Sequence, residues 1–196
     1  MPAGSTNFPT SIDSNTVRNG THEMTSTDHN DHSIQIEALQ AKVGADSSAV
    51  STSHDYKLSN IEGAWSTWVP TWTNLTVANG TVVARYKQVG KTVDGFISVL
   101  FGSSTAVSGA TSFSLPVESL IPGSGQRPIG QVNFQDTGGT PANFAGVLVT
   151  LTSTSAQFKV FAVSGSYISN SNISSTVPYT FANTDVVNAR FRYEAA

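Results

Sequence analysis

The chain contains no cysteine. Disulfide frameworks and thiolate nucleophiles are excluded, and the redox compartment leaves no mark on the sequence. Charge is scarce too: Asp, Glu, Lys and Arg make up 12% of 196 residues, with a net charge of -3. That balance cannot supply a phosphate-binding surface, so nucleic acid is not an expected partner. Long apolar runs are also missing. No window approaches the roughly 20 apolar residues of a membrane span, so no membrane insertion is expected. The start, Met1-Pro-Ala-Gly-Ser-Thr-Asn-Phe-Pro, lacks the positive and apolar regions of a secretory signal.

Aromatic residues are present but unevenly spread. Residues 1–64 hold only Phe8 and Tyr56, together with eight acids, three bases and all four histidines; residues 65–196 hold sixteen aromatics, five acids and seven bases. Within residues 1–32 the apolar points are Phe8, Ile12, Val17 and Met24, too few to offset the entropy of ordering the segment alone. This reads as an extended arm that orders only when laid against a partner. The same composition also describes an unstructured tail.

The spacing predicts a helix over 33–44, with Ser33 as N-cap and Gly44 as its stop. Ile36, Leu39 and Val43 then share one stripe at a, d, a spacing, and Ile34 lies off it. Such a helix is shorter than the roughly 12–15 residues at which isolated helices become marginal in water. Its stripe needs a partner, either the chain's own β module or the same helix from neighbouring chains in a parallel bundle. A polar loop follows, and Tyr56–Ile61 is expected to add a further turn or two. Residues 33–64 are thus a helical neck and linker.

From Trp65 onward the period is two. Val187, Ala189, Phe191 and Tyr193 alternate with Asn188, Arg190 and Arg192, and Val93–Phe101 alternates likewise with a partly apolar second face. Further strands are expected at 81–89, 129–134, 145–152 and 156–163. Asn79-Gly80 reads as a hairpin turn between Leu75–Val77 and Val82–Val83, and Gly90-Lys91, Gly138-Gly139 and Ser164-Gly165-Ser166 supply other turns. About eight strands at such spacing predict a mainly β fold, with residues 65–196 forming an antiparallel β-sandwich or jelly roll.

Chemistry is thin. Asp28-His-Asn-Asp-His32 places imidazoles and carboxylates close together, but metal sites need ligands that converge, so solvated histidines are expected and no cofactor is. One exception follows from symmetry: in a parallel trimer a single histidine repeats around the axis and can hold an ion there. No nucleophile elbow, phosphate loop or zinc-protease motif occurs, and the module has no histidine. Asp94, Glu118, Asp136, Asp185 and Glu194 are the carboxylates from which a glycosidase-like pair would be drawn. Five scattered acids do not make an enzyme, and no catalytic residue is expected. Trp65, Trp68 and Trp72 cluster around Pro70 and are read as core or subunit packing, as docking to the helical region, or as ligand contacts.

Two stretches carry a resemblance. The run His29-Asn-Asp-His-Ser-Ile-Gln-Ile-Glu-Ala-Leu-Gln-Ala-Lys-Val-Gly44, followed by Thr52-Ser-His-Asp-Tyr-Lys-Leu58, resembles a segment of structural proteins of tailed bacteriophages. There a His-Asn pair precedes an Ile-x-Ala-Leu-Glu-x-Lys-Val-Gly helix and a Ser-Leu-x-Tyr-Lys-Leu tail; here Gln40 stands for the Glu and His54 for the Leu. Trp68-Val-Pro-Thr-Trp72, Asn79-Gly-Thr81, Ala84-Arg-Tyr86 and Val89-Gly-Lys91 also resemble β modules of phage minor tail and fibre proteins. The resemblance implies a virion location and a homotrimeric, non-enzymatic appendage. Its arm would be fixed to other virion proteins of tail or capsid, and its head would present loops to a host-surface glycan. A capsid decoration or head-fibre protein is the alternative, and a carbohydrate-active enzyme a third.

Overall fold

The computed structural model describes residues 26–44, 47–120, 125–138 and 140–196. The chain divides into two compact units, Met1–Gly63 and Ala64–Ala196. The four arm residues Phe8, Ile12, Val17 and Met24 lie outside the described residues.

In the first unit, α1 spans Ser26–Val43 and α2 spans His54–Glu62. Helix α1 begins seven residues before the expected Ser33. Ser33 is therefore not its N-cap: its hydroxyl donates to the carbonyl of His29 at 3.0 Å, the back-bond of a serine inside a helix. The expected stop holds. Gly44 sits at φ 91° and its N–H donates to the Gln40 carbonyl at 2.7 Å, closing the helix with a left-handed residue. Ser53 caps α2, accepting from the Tyr56 N–H at 3.2 Å while donating to the Val50 carbonyl at 2.8 Å.

The second unit is antiparallel β throughout. In chain order its strands are β1 (Ser66–Thr67), β2 (Trp72–Thr76), β3 (Thr81–Val89), β4 (Thr92–Leu100), β5 (Ala106–Ser114), β6 (Pro128–Asp136), β7 (Ala142–Thr152), β8 (Ser155–Ser164), β9 (Tyr167–Asn172) and β10 (Val186–Glu194). They form one curled sheet in the order β1-β3-β4-β10-β6-β7-β8-β5-β2, with β9 added to β8. The two ends of this path are joined by a short corner, Trp68-Val-Pro-Thr71. Trp68 N–H donates to the Ala84 carbonyl on β3, and Ser114 N–H on β5 donates to the Thr71 carbonyl. One continuous stretch of chain thus borders both ends of the sheet.

Alternation builds the core. On β10, Val187, Ala189, Phe191 and Tyr193 are buried and Asn188, Arg190, Arg192 and Glu194 are exposed. Val93, Ile97 and Val99 of β4 join them, with Phe113, Phe134, Leu148 and Phe158 from β5 to β8. Gly130 lets β6 approach β10 closely, since a Cβ there would run into the Arg190 carbonyl oxygen.

The expected Asn79-Gly80 hairpin is a turn but not a hairpin. Gly80 N–H does donate to the Val77 carbonyl at 2.8 Å, yet β2 pairs with β5 and β3 pairs with β4. The Asn79 side chain instead holds the 101–105 turn, donating to Ser103 Oγ at 3.0 Å and accepting from the Ser104 N–H at 2.9 Å. Those bonds fix a corner rather than a two-stranded ladder. Strands β5 and β9 fall where no strand is expected.

Candidate functional site

Within the core of the β unit a void of about 10 Å³ between Leu75, Phe158 and Val187 is at the lower limit for one water. What the described residues offer are three exposed surfaces.

The first is the α1 stripe. Ile36, Leu39 and Val43 are 54%, 51% and 50% exposed, whereas Ile34 and Ala38 on the opposite side are half-buried. Ile34 and Ala38 are partly covered, while among the described residues each stripe side chain keeps about half its surface open. Leu58 and Ile61 of α2 are exposed to a similar degree.

The second is the outer face of β3, β4 and β10. Register places Arg85, Phe96 and Arg190 side by side across three strands, and Lys87, Asp94 and Arg192 in the next row. Trp65 tilts over Phe96 with ring centroids 5.9 Å apart. Asp94 pairs with Arg192 at 2.6 Å and 3.1 Å, a bidentate contact that raises the arginine's proton affinity further. Among the described residues no carboxylate pairs with Arg85 or Arg190. A ring flanked by guanidinium groups can stack on a flat ligand and bind its anionic substituents.

The third is the far half of the β8–β9 ribbon. Beyond Val160, β8 pairs among the described strands with β9 alone, with Val163 opposite Ile168 and Phe161 opposite Asn170. Val163, Tyr167 and Ile168 are 81%, 81% and 76% exposed. Sequence periodicity missed this surface. Its signal is the absence of any charge between Lys159 and Asp185, a stretch that a solvated ribbon would interrupt.

The other singled-out side chains have structural employment. Trp68 donates from Nε1 to the Ser114 carbonyl at 3.2 Å and meets Tyr86 and Phe191 edge-on; Trp72 packs on Phe113 and Phe158. These two fill the corner where the sheet's ends meet, and only Trp65 is substantially exposed. Three of the carboxylates are engaged by hydrogen-bond donors. Glu118 accepts from Ser153 Oγ at 2.7 Å, and Asp136 accepts from the Gly138 N–H at 2.9 Å. Asp185 is fully buried and accepts from the N–H groups of Thr137 and Ala182 at 2.9 Å and 2.7 Å. The Tyr193 hydroxyl donates to the Val117 carbonyl at 2.7 Å, and burial pushes its pKa up to about 12. Burial, assisted by Asp185 and Asp136, raises Tyr179 further, and its hydroxyl has no hydrogen-bond partner among the described residues. His29, His32 and His54 are exposed, and within one chain the described residues gather no three metal-ligating side chains. No helix among them is long and apolar enough to cross a membrane. No family model, curated protein or solved structure matches this chain.

Proposed function

We propose that this chain is a non-enzymatic structural protein of a tailed-phage virion: a homotrimeric appendage of minor tail or fibre type, anchored through its N-terminal arm. The observation that carries the reading is the half-exposed stripe of Ile36, Leu39 and Val43 on a helix whose opposite side, at Ile34 and Ala38, is partly buried. An apolar helix face left in water is most economically covered by its own copies, and the a, d, a spacing suits a parallel bundle. The motif resemblance around that helix supplies the virion class. The curled sheet is then the head, sandwich-like in form, and Phe161, Val163 and Ile168 add an apolar surface for contacts between copies. The Trp65–Phe96 platform with Arg85 and Arg190 suits a host-surface glycan.

Native mass measurement of the full chain tests assembly: three times 20.6 kDa is expected, and a single-chain mass at micromolar concentration would sink the reading. A second location is favoured by one dimension. Helix α1 has 18 residues and spans about 27 Å, the length of a clamp rather than a shaft, as a capsid decoration protein needs. Removing residues 1–25, which spares α1, and scoring binding to purified tails against purified capsids separates the two.

A further inference from the structure

The early start of α1 changes what its stripe contains. At 100° per residue, His29, His32, Ile36, Leu39 and Val43 fall within an arc of about 80°, in unbroken a, d, a, d, a order. The two imidazoles are exposed in the single chain, as are the three apolar side chains they precede. Ile34 and Ala38 lie on the far side of the helix, and both are half-buried. The face that would meet a neighbouring copy is therefore apolar over its C-terminal half and carries imidazoles over its N-terminal half.

We infer that the trimer binds a divalent transition cation on its axis through His29 and His32. This inference rests on the assembly proposed above. In a parallel trimer each position on the stripe repeats three times around the axis, so His29 and His32 form two layers of three imidazoles, about 4.5 Å apart along the helix. Three neutral imidazole nitrogens are a complete protein ligand set for a tetrahedral ion whose fourth position is open to water. Imidazole suits zinc, copper and nickel, and excludes calcium and magnesium, which take oxygen ligands. Without an ion, six imidazoles would be drawn out of water beside the Ile36 layer with few partners; coordination satisfies them and draws the same three helices together. Among the described residues a single chain gathers no such set, so the inferred ligand set forms on assembly.

The experiment uses the tag-free full chain and Zn²⁺ as the probe, with native mass and elemental analysis read on the same sample. The expected result is about one Zn²⁺ per three chains for each layer that closes, and a trimer whose dissociation midpoint shifts at least tenfold to lower concentration with the ion. The double variant His29→Leu, His32→Leu keeps the stripe apolar, so it should remain trimeric and lose all bound zinc. His54→Asn, off this helix, should keep it. A trimeric wild type that holds no zinc, or a double variant that holds as much as wild type, overturns the metal site while leaving the assembly standing. A wild-type chain that is monomeric with and without Zn²⁺ overturns both.

Discussion

The two units solve the burial problem in opposite ways. In the β unit nearly every large side chain of the inner face finds cover within the chain: Phe113, Phe134, Phe158 and Leu148 are at or near zero exposure. In the helical unit the three most regularly spaced apolar residues stay half in water. Apolar spacing is visible in both units, so periodicity alone does not say whether the partner is the same chain or another. The β unit closes its core within the chain, and on the assembly proposed above the helical unit is completed by its own copies.

Substitutions can break that contrast at either end. The largest effect belongs to the β core: Phe134→Ala should cost about 3–5 kcal/mol of unfolding free energy, read by denaturant titration, with no change in the mass of the folded species. Asp185→Asn comes next, at about 2–3 kcal/mol, because an amide nitrogen would face one of the two backbone donors that the buried carboxylate now satisfies. Leu39→Asp should leave the β unit's thermal transition in place and weaken assembly by about 2 kcal/mol per chain, measured as the concentration at which the native mass falls apart. A variant that instead melts the β unit and leaves the mass unchanged would contradict the division of labour.

The smallest effect is Tyr193→Phe, at about 1 kcal/mol for the hydroxyl's bond to Val117. It carries a pH signature. The folded value near 12 lies above the ordinary 10.0, so the folded state binds more protons between those values, and stability falls as pH rises through that window. Below pH 10 the contribution is fully present. Tyrosinate absorbance should show alkaline unfolding with a shallower slope in the Phe variant.

Much of this fold was legible from residues. Val187 to Tyr193 and Thr81 to Val89 announced their strands by strict alternation or turn chemistry, and both appear within a residue of the expected bounds. Strand β5 did not, because Ala106-Val-Ser-Gly-Ala-Thr-Ser is small and polar enough to read as loop, and only tertiary pairing with β2 and β8 makes it a strand. The Asn79-Gly80 signal misled because it reports a local turn, while strand pairing is decided by where Leu75 finds Val107. The candidate surfaces followed the same rule. The stripe of Ile36, Leu39 and Val43 was visible at once, but its extension through His29 and His32 was hidden: imidazoles do not register as apolar, and Ser33 has the chemistry of a cap. Phe161 and Val163 were placed in an expected strand, and nothing in their spacing says that the strand runs past its neighbour into solvent.

The corner Trp68–Thr71 has a mechanical consequence. Any pull transmitted from the helical unit arrives at Ala64, and the first resistance it meets is Ser66-Thr67, a two-residue pairing on the outermost strand of the path. With two residues it is the shortest of the described strands, so it is the first to yield. The load then reaches Trp68, wedged between Tyr86 and Phe191 and bonded to Ser114. The tether can thus lengthen by a few residues while the core keeps its shape, as a strain-relief does where a cable enters its housing.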